Sequence, residues 1–507
     1  MKISSLTDSV NIGDHLLATG RPEDPVITDP RGTHTYAELR SAVARLSRSL
    51  QEADLSPGSR VGLLGANSLY WVASYLAIIR SGHTVVPFAT VLTAEDVEAK
   101  AEFVGCDTLF LDSRLGRRFE RVTGWMRSLV TEEALGDGEA EELAAVPVAA
   151  PATDAVLLFT SGTTGRPRAV RVTHGNIRAN TESIIEYLGL ARHDRMLVVL
   201  PFSYCYGASL LHTHLRAGGS LCVCDTLAFP ESVVAMMRAE RCTGFAGVPS
   251  TYQLLLRASS FASTSLPALR HMQQAGGRLP HSQILEVSAA HPGARLFVMY
   301  GATEATARLS YLPPEDIEAR AGSIGRGIPG VTLRVTDEIG RDLDPGDVGE
   351  VRARGENITA GYWQDPVGTA AKYVDGELRT GDMARMDEDG YVYIVDRQDD
   401  FIKSWGFRVS SHEVADAILT MPEIVSAAVV GRPDPDAGEA IVAFCTPRRD
   451  AAITSVDVMS HCRGRLAKHL VPHEVFFIPQ LPLNANGKVM KSTLRAMAAS
   501  EGREPER

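Results

Sequence analysis

Several features that mark other protein classes are missing from this chain. Its seven cysteines are odd in number and scattered, and no Cys-x-x-Cys pair occurs among them. This argues against a zinc site, a redox motif or a disulfide framework. No apolar run approaches the roughly 20 residues of a membrane span. The first residues, Met1–Asp8, lack the basic-then-apolar pattern of an export signal, so we expect a cytoplasmic protein with reduced thiols.

Basic blocks and internal repeats are also missing. The net charge of -11 is spread along the chain, which argues against nucleic acid or an anionic membrane as the main partner. Hydrophobic residues make up 44% and charged residues 22%, as in a globular enzyme. A chain of 507 residues is too long for one core and predicts two to four domains.

Helix and strand patterns alternate in the first part of the chain. Thr35-x-x-Glu38 has the pattern of a capping box, and apolar residues at helical spacing follow from Tyr36 to Leu50. Strands are predicted at Arg60–Leu64 and Thr84–Pro87, on either side of a helix at Tyr70–Ser81. This rhythm predicts a largely parallel sheet with helices packed on its faces.

The pattern changes beyond residue 330. Short strands separated by turns predict a smaller β-rich region, and candidates are Val331–Val335, Gly349–Ala353 and Gly390–Val395. A final α/β module follows Asp399, with helices predicted at His412–Thr420 and Val456–Leu470.

The most informative segment is Thr160–Arg168, with the sequence TSGTTGRPR. It follows a predicted buried strand, Ala155–Phe159, and its glycines and hydroxyl residues allow N–H and O–H groups to converge on phosphate oxygens. Arg168 would hold the terminal phosphates of a triphosphate. The spacing differs from the G-x-x-x-x-G-K-[ST] phosphate loop. The alternative is a flexible polar hairpin without a ligand.

Three more segments carry side chains suited to nucleotide chemistry. Glu304 follows a predicted strand and could face a metal-bridged phosphate, although it could also simply open a helix. Asp382, in Thr380-Gly-Asp382, could accept both ribose hydroxyls, and an ordinary turn is the alternative. Lys488 lies on a glycine-flexed loop near the end of the chain, where most lysines are only surface charges.

In combination, these segments resemble the superfamily of AMP-forming acyl/aryl-CoA synthetases, peptide-synthetase adenylation domains and firefly luciferase. Nearly the whole chain takes part in the resemblance. The matching motifs, in chain order, are Thr35–Leu39, Thr160–Arg168, Val248–Ser250, Gly276-Gly277, Tyr300–Glu304, Gly349-Glu350 with Gly361–Trp363, Arg379–Asp382, Asp396–Arg408 and Pro482–Lys488.

The resemblance implies an α/β fold with two domains. A large N-terminal domain, residues 1–397, would contain parallel-rich sheets with packed helices and a β-rich subdomain. A small, mobile α+β domain, residues 398–507, would act as a lid that turns about a hinge at Asp399.

The resemblance also implies site residues for ATP and Mg²⁺. Lys488, Glu304, Thr303 and Arg168 would be catalytic, and Glu304 would help to hold Mg²⁺. The expected nucleotide-binding residues are Thr160, Ser161, Gly162, Thr163, Thr164, Gly165, Gly276, Gly277, Tyr300, Gly301, Asp382 and Arg397. The expected acyl pocket consists of Tyr204, Cys205, Gly207, Val248 and Ala302.

The chain departs from the family pattern at three positions. The phosphate loop ends in Arg168-Ala169 instead of lysine and glycine, and arginine keeps the charge. Tyr204 stands where many acyl-CoA synthetases have histidine. Cys205 stands where adenylation domains for α-amino acids have aspartate, and a neutral thiol cannot pair with an ammonium group. An α-amino acid is therefore not the expected substrate.

The expected reaction joins a small-molecule carboxylic acid to a thiol. The acid would react with ATP to give acyl-AMP and pyrophosphate, and the acyl group would pass to CoA or to the phosphopantetheine of a carrier protein. Three alternatives remain open: an amine or small inorganic acceptor, a luciferase-type oxygenase, and a nucleotide-binding protein without catalysis. The identity of the acid is also open.

Overall fold

The computed structural model describes residues 11–136, 142–144, 148–160, 167–224, 227–398, 400–449, 451–484 and 487–501. The predicted hinge, Asp399, lies outside these residues, so the hinge and the proposed domain boundary remain predictions. None of the helices in the described ranges has both the length and the apolarity that a membrane crossing requires.

The strands follow one another along the whole chain. In chain order they are β1 Pro25–Asp29, β2 Gly32–Thr35, β3 Arg60–Leu64, β4 Thr84–Phe88, β5 Thr108–Leu111, β6 Ser128–Val130, β7 Asp154–Thr160, β8 Arg168–Thr173, β9 Arg195–Val198, β10 Ser220–Val223, β11 Gly244–Gly247, β12 His271–Gln274, β13 Arg295–Tyr300, β14 Ser310–Leu312, β15 Arg326–Gly327, β16 Val331–Thr336, β17 Val348–Gly355, β18 Tyr373–Val374, β19 Glu377–Met386, β20 Val392–Arg397, β21 Ile402–Ser404, β22 Phe407–Val409, β23 Ile424–Asp434, β24 Gly438–Pro447 and β25 Glu474–Phe477.

The helices alternate with the strands in the first part of the chain. They are α1 Ile12–Leu17, α2 Tyr36–Glu52, α3 Leu69–Arg80, α4 Ala94–Val104, α5 Glu120–Thr123, α6 His174–Leu188, α7 Cys205–Ala217, α8 Pro230–Ala239, α9 Pro249–Ala258, α10 His281–Ala290, α11 Pro366–Lys372, α12 Ser411–Ile418, α13 Ser455–Arg463 and α14 Lys491–Glu501. Short 3-10 turns include Thr303–Ala305 and Lys468–Leu470.

Two parallel-rich sheets form the larger part of the molecule. The first has the order β15-β14-β13-β12-β11-β9-β10-β1-β2, with its antiparallel pairs at the two edges. The second has the order β6-β5-β3-β4-β7-β8 and is parallel except for the β7–β8 hairpin. One apolar core contains residues of both sheets and of α2, α3, α6 and α7. The predicted class of parallel-rich sheets with packed helices is confirmed.

Two smaller sheets complete the fold. One antiparallel sheet consists of β16, β17, β18, β19 and β20, as the short strands and turns beyond residue 330 predict. The strands β21 to β25 form another sheet, which packs with α12, α13 and α14. The helix predicted at Val456–Leu470 is too long, because α13 ends at Arg463 and Gly464 caps it. Glycine in a helix interior is unfavourable, which explains the early end.

A buried carboxylate connects β20 with the start of α12. The side chain of Asp396 is fully buried and accepts hydrogen bonds from the hydroxyl of Ser410, at 3.1 Å, and from the hydroxyl and amide of Ser411, at 2.9 and 2.8 Å. A carboxylate at a helix N-terminus also meets the positive end of the helix dipole. The region after residue 400 is thereby fixed against β20.

Candidate active site

The predicted phosphate loop closes a β-hairpin. β7 and β8 pair antiparallel, and Thr160 is opposite Arg168 at the base of the loop. Ser161, Gly162, Thr163, Thr164 and Gly165 lie outside the described residues. The Arg168 guanidinium lies over the ring of Tyr362 at 4.9 Å and approaches the Asp365 carboxylate at 3.8 Å. The hairpin base therefore places a cation where the chain leaves the loop.

The residues after β13 continue the site from this hairpin. The Tyr362 hydroxyl donates to Oε1 of Glu304 at 2.8 Å, so one tyrosine contacts both Arg168 and Glu304. The Thr303 hydroxyl lies 3.5 Å from the Cys205 sulfur. The structure thus brings Arg168, Thr303 and Glu304 together. The sequence assigned no role to Tyr362, although the motif that contains it is part of the family resemblance.

Asp382 is the centre of the predicted ribose site. The Tyr300 hydroxyl donates to its Oδ2, and the Arg397 guanidinium donates to its Oδ1 at 3.1 Å. Burial, and next the neighbouring Asp382, raise the pKa of Tyr300 well above its usual value. The charge of Asp382 likewise raises the pKa of Arg397. All three predicted residues meet where the ends of β13 and β20 lie beside the middle of β19.

Glycines are sterically required at this end of the sheet. Gly276 has a φ of +85°, and a Cβ at this position would lie 2.8 Å from a methyl carbon of Val248. A Cβ on Gly277 would lie 3.2 Å from the Pro249 ring. A Cβ on Gly301 would lie 1.9 Å from the Ala307 carbonyl oxygen, which no side chain could tolerate. These residues allow backbone segments to approach each other closely around the site.

A narrow cavity of about 10 Å³ lies beside α7, with room for about one water molecule. Cys205 lines it, together with Ala208, Ser209 and Ala307. Of the five predicted pocket residues, Cys205 alone is among the residues that line this cavity in the described part of the chain. Tyr204 and Val248 face Gly276, Gly207 packs against the Pro201 carbonyl, and Ala302 precedes the 3-10 turn. Burial raises the pKa of the Cys205 thiol, so this group is neutral.

Lys488 reaches the site from the other end of the chain. The Ser250 hydroxyl donates to the Gly487 carbonyl at 3.2 Å, and the Lys488 amide donates to the Asn484 side chain at 3.0 Å. Burial is the main reason why the pKa of Lys488 lies below its usual value. The titratable groups that act on it are Cys205, Arg397, Asp382 and Glu304.

A second lysine of the site was missed by sequence reasoning. Lys372, the last residue of α11, donates to the Thr380 carbonyl at 2.8 Å. Burial lowers its pKa, while the charges of Glu304, Asp382 and Glu350 act in the opposite direction. Lys372 therefore lies among the acidic groups of the site. Its sequence context contains no motif that could have indicated this position.

Comparisons with known proteins agree with this geometry. The profile of the AMP-binding enzyme family matches residues 17–363, and that of the AMP-binding enzyme C-terminal domain matches residues 413–488. The chain is 30% identical to a 3-hydroxybenzoate–CoA ligase of Aromatoleum sp. over 97% of its length and 98% of the relative. It is 29% identical to an indoleacetate–CoA ligase of Aromatoleum aromaticum, with coverage of 94% and 96%.

A solved structure supports the same relationship. The crystal structure of ATP-bound MatB from Rhodopseudomonas palustris superimposes with a TM-score of 0.88 at 28% identity. The match covers 98% of this chain and all of that one.

Proposed function

Because this chain belongs to the AMP-binding enzyme family, we propose that it joins a carboxylic acid to the thiol of CoA in two steps. A carboxylate oxygen attacks the α-phosphorus of ATP, the bond to the β-phosphate breaks, and acyl-AMP and pyrophosphate form. The thiol sulfur then attacks the acyl carbon, AMP leaves, and the thiol proton is released. The contact of Gly487 with Ser250, together with the electrostatic action of Cys205, Asp382 and Glu304 on the Lys488 ammonium, carries this proposal.

The first step needs cations, because the acid and the α-phosphate are both anions. Lys488 would neutralise both as they approach, since an ammonium is a compact charge on a flexible stem. Its half-buried position strengthens this effect, because electrostatic interactions grow as water is excluded. Arg168, on the hairpin, would attract the terminal phosphates. Asp382 would accept hydrogen bonds from the ribose.

The site fits a Mg²⁺ ion that the nucleotide brings with it. Among the described residues, no cluster of three or more His, Cys, Asp or Glu side chains could hold an ion alone. Glu304 offers one carboxylate, and Mg²⁺ commonly uses one or two carboxylates together with phosphate oxygens and water. Bound Mg²⁺ would neutralise the leaving pyrophosphate. The role of Glu304 would be to hold that ion, with Tyr362 orienting its Oε1.

CoA is the acceptor that the relatives favour. Both curated relatives described above are named as CoA ligases. Transfer to the phosphopantetheine of a carrier protein would use the same thiol chemistry, and the comparisons do not separate the two. A region after residue 400 that moves about Asp399 would withdraw Lys488 after the first step and admit the thiol. Such a movement also protects acyl-AMP from water while the site is closed.

A panel of carboxylic acids tests this proposal. Pyrophosphate release would be measured for each acid with ATP and Mg²⁺, and mass spectrometry would identify the products with and without CoA. We expect pyrophosphate release with at least one acid and an acyl-CoA product only when CoA is present. The panel should include 3-hydroxybenzoate and indoleacetate, because these acids are named for the relatives.

Substitution of Lys488 separates the two steps. Lys488→Ala should release pyrophosphate at least about 100-fold more slowly, since a half-buried charge that would face the reacting anions is lost. It should still convert a supplied acyl-adenylate with CoA. Lys468→Ala, an exposed lysine of the same region, is the matched control. Normal pyrophosphate release by Lys488→Ala would refute the role assigned to this lysine.

A further inference from the structure

A buried arginine beside the cavity at α7 has no anionic partner among the described residues. Arg308 follows Ala307, which lines the cavity, and is only 1% exposed. Its Nε and Nη2 form no hydrogen bond within the described part of the chain. The guanidinium carbon lies 4.8 Å from the centre of the Tyr206 ring. Arginine in a protein interior is normally paired, since an isolated buried charge is costly.

The groups that face Arg308 are neutral. Tyr187, Tyr204, Tyr206 and Cys205 lie within its electrostatic reach, and burial raises the pKa of each. No carboxylate of the described residues forms an ion pair with Arg308. The protein therefore keeps one full positive charge in an apolar and phenolic surrounding, where an incoming anion would be bound strongly.

Gln273 is a second buried polar residue, and its backbone contacts the same tyrosine as Arg308. Gln273 is 0% exposed, and neither its side-chain oxygen nor its nitrogen has a hydrogen-bond partner in the described residues. Its backbone carbonyl accepts from the Tyr206 hydroxyl at 3.0 Å, so Gln273 and Arg308 contact the same tyrosine. Buried polar atoms are normally hydrogen-bonded, so the Nε and Nη2 of Arg308, free within the described residues, indicate a missing polar ligand.

Cys205 is acted on electrostatically both by Arg308 and by the lysine at the reactive end of the site. The charges of Lys488 and Arg308 both act on the Cys205 thiol. Each of them lowers its pKa, whereas burial raises it. Arg308 lies over the ring of Tyr206, the second residue of α7, and the charge of Lys488 acts on Cys205, the first. A substrate that extends past Cys205 from one cation toward the other would need an anionic group at each end.

We propose that Arg308 binds a second carboxylate of the substrate, so that the enzyme activates a dicarboxylic acid. This inference rests on the proposed function: one carboxylate reacts beside Lys488, and the other pairs with Arg308. The planar guanidinium suits two parallel hydrogen bonds to a carboxylate. The cavity has only about 10 Å³ of free space, which favours a compact diacid over a long-chain one. Binding has to widen it, and charge pairing drives that change.

Matched pairs of acids test this inference in the unmodified protein. The probes are succinate against butyrate, glutarate against pentanoate, and isophthalate against 3-methylbenzoate, each compared by kcat/KM for pyrophosphate release. At least one diacid should exceed its monoacid by about 100-fold or more, as expected for a desolvated, hydrogen-bonded charge pair. The comparison within the unmodified enzyme does not depend on the folding of any variant.

Substitutions identify the residue responsible. Arg308→Met should bring the diacid-to-monoacid ratio close to one, and Arg308→Lys should restore part of it. Arg352→Met is the matched control, because Arg352 is a buried strand arginine whose Nε also lacks a partner in the described residues. It should leave the ratio unchanged.

Two results would contradict the inference. The first is a preference of the unmodified enzyme for the monoacids, and the second is a diacid preference that Arg308→Met leaves intact. In either case Arg308 does not bind a second carboxylate, and the proposed function stands. If no acid of either series releases pyrophosphate while 3-hydroxybenzoate or indoleacetate does, the inference fails and the proposed function stands; if none of these acids does, both fail.

Discussion

An ion pair between α12 and the loop after β12 offers a test of the arrangement that places Lys488 in the site. The Arg278 guanidinium and the Asp416 carboxylate are 2.6 Å apart, and their side chains are 33% and 28% exposed. Arg278 directly follows Gly277, and Asp416 belongs to the same region as Lys488. Asp416→Asn removes the charge and nearly preserves the shape.

The size of the effect follows from two opposing contributions. At 2.6 Å, Coulomb attraction in a partly exposed site is about 6 kcal/mol, taking an effective dielectric constant of about 20. Burial opposes this gain, because it raises the pKa of Asp416 in spite of the neighbouring arginine. The loss expected for Asp416→Asn therefore comes from the Arg278 guanidinium, which keeps its burial cost without its partner; we expect about 1–2 kcal/mol, or about 5–30-fold in the equilibrium constant.

The assay compares the two half-reactions of Asp416→Asn. Pyrophosphate release should fall by up to about 5–30-fold, because Lys488 occupies the site for a smaller fraction of the time. Conversion of a supplied acyl-adenylate with CoA should not fall. Asp436→Asn, a substitution at an exposed carboxylate of the same region, should change neither rate.

An equal loss in both half-reactions would refute this reasoning, because it would indicate general destabilisation. An unchanged rate of pyrophosphate release would show that the ion pair does not hold the Lys488 arrangement.

Three further predictions concern other parts of the molecule. Asp382→Asn should raise the KM for ATP by about 10–100-fold in steady-state kinetics, because charged hydrogen bonds are lost, and should leave the KM for the acid nearly unchanged. His174 accepts from the Ile12 amide at 3.0 Å, and burial lowers its pKa to about 4. In the unfolded chain the same histidine binds a proton near pH 6.5. The contribution of neutral His174 to the free energy of unfolding is therefore complete above that pH, and up to about 3 kcal/mol is lost as the pH falls to 4. His174→Asn should flatten that slope in urea unfolding measured between pH 7 and pH 4. Gly301→Ala should lower the free energy of unfolding, measured by urea titration, by about 1–3 kcal/mol or more. The reason is that its Cβ would overlap the Ala307 carbonyl.

Local sequence patterns were sufficient for much of the fold. The capping box at Thr35–Glu38 is formed, and α2 buries the apolar stripe that begins at Tyr36. β3 has the predicted bounds, Arg60–Leu64. These elements are determined by hydrogen bonds and side-chain periodicity within one segment, and such information is present in the sequence.

Side chains brought together by packing were not predictable in this way. Lys372 enters the site from the end of α11, and Tyr362 connects Arg168 with Glu304 across segments far apart in the chain. Arg308 looks like an ordinary charged residue before a short strand, and only the packing around it shows that it is buried. A motif can indicate residues at strand ends, whereas unpaired charges become visible only with the neighbouring segments in place.

The attachment of Asp396 to α12 has a consequence for the timing of the catalytic cycle. If the region after residue 400 turns about Asp399, Ser410 and Ser411 move away from a carboxylate that has no access to water in the closed state. Opening must break those hydrogen bonds before water can replace them, and that loss slows departure from the closed state. The opening step would then set how quickly the thiol is admitted.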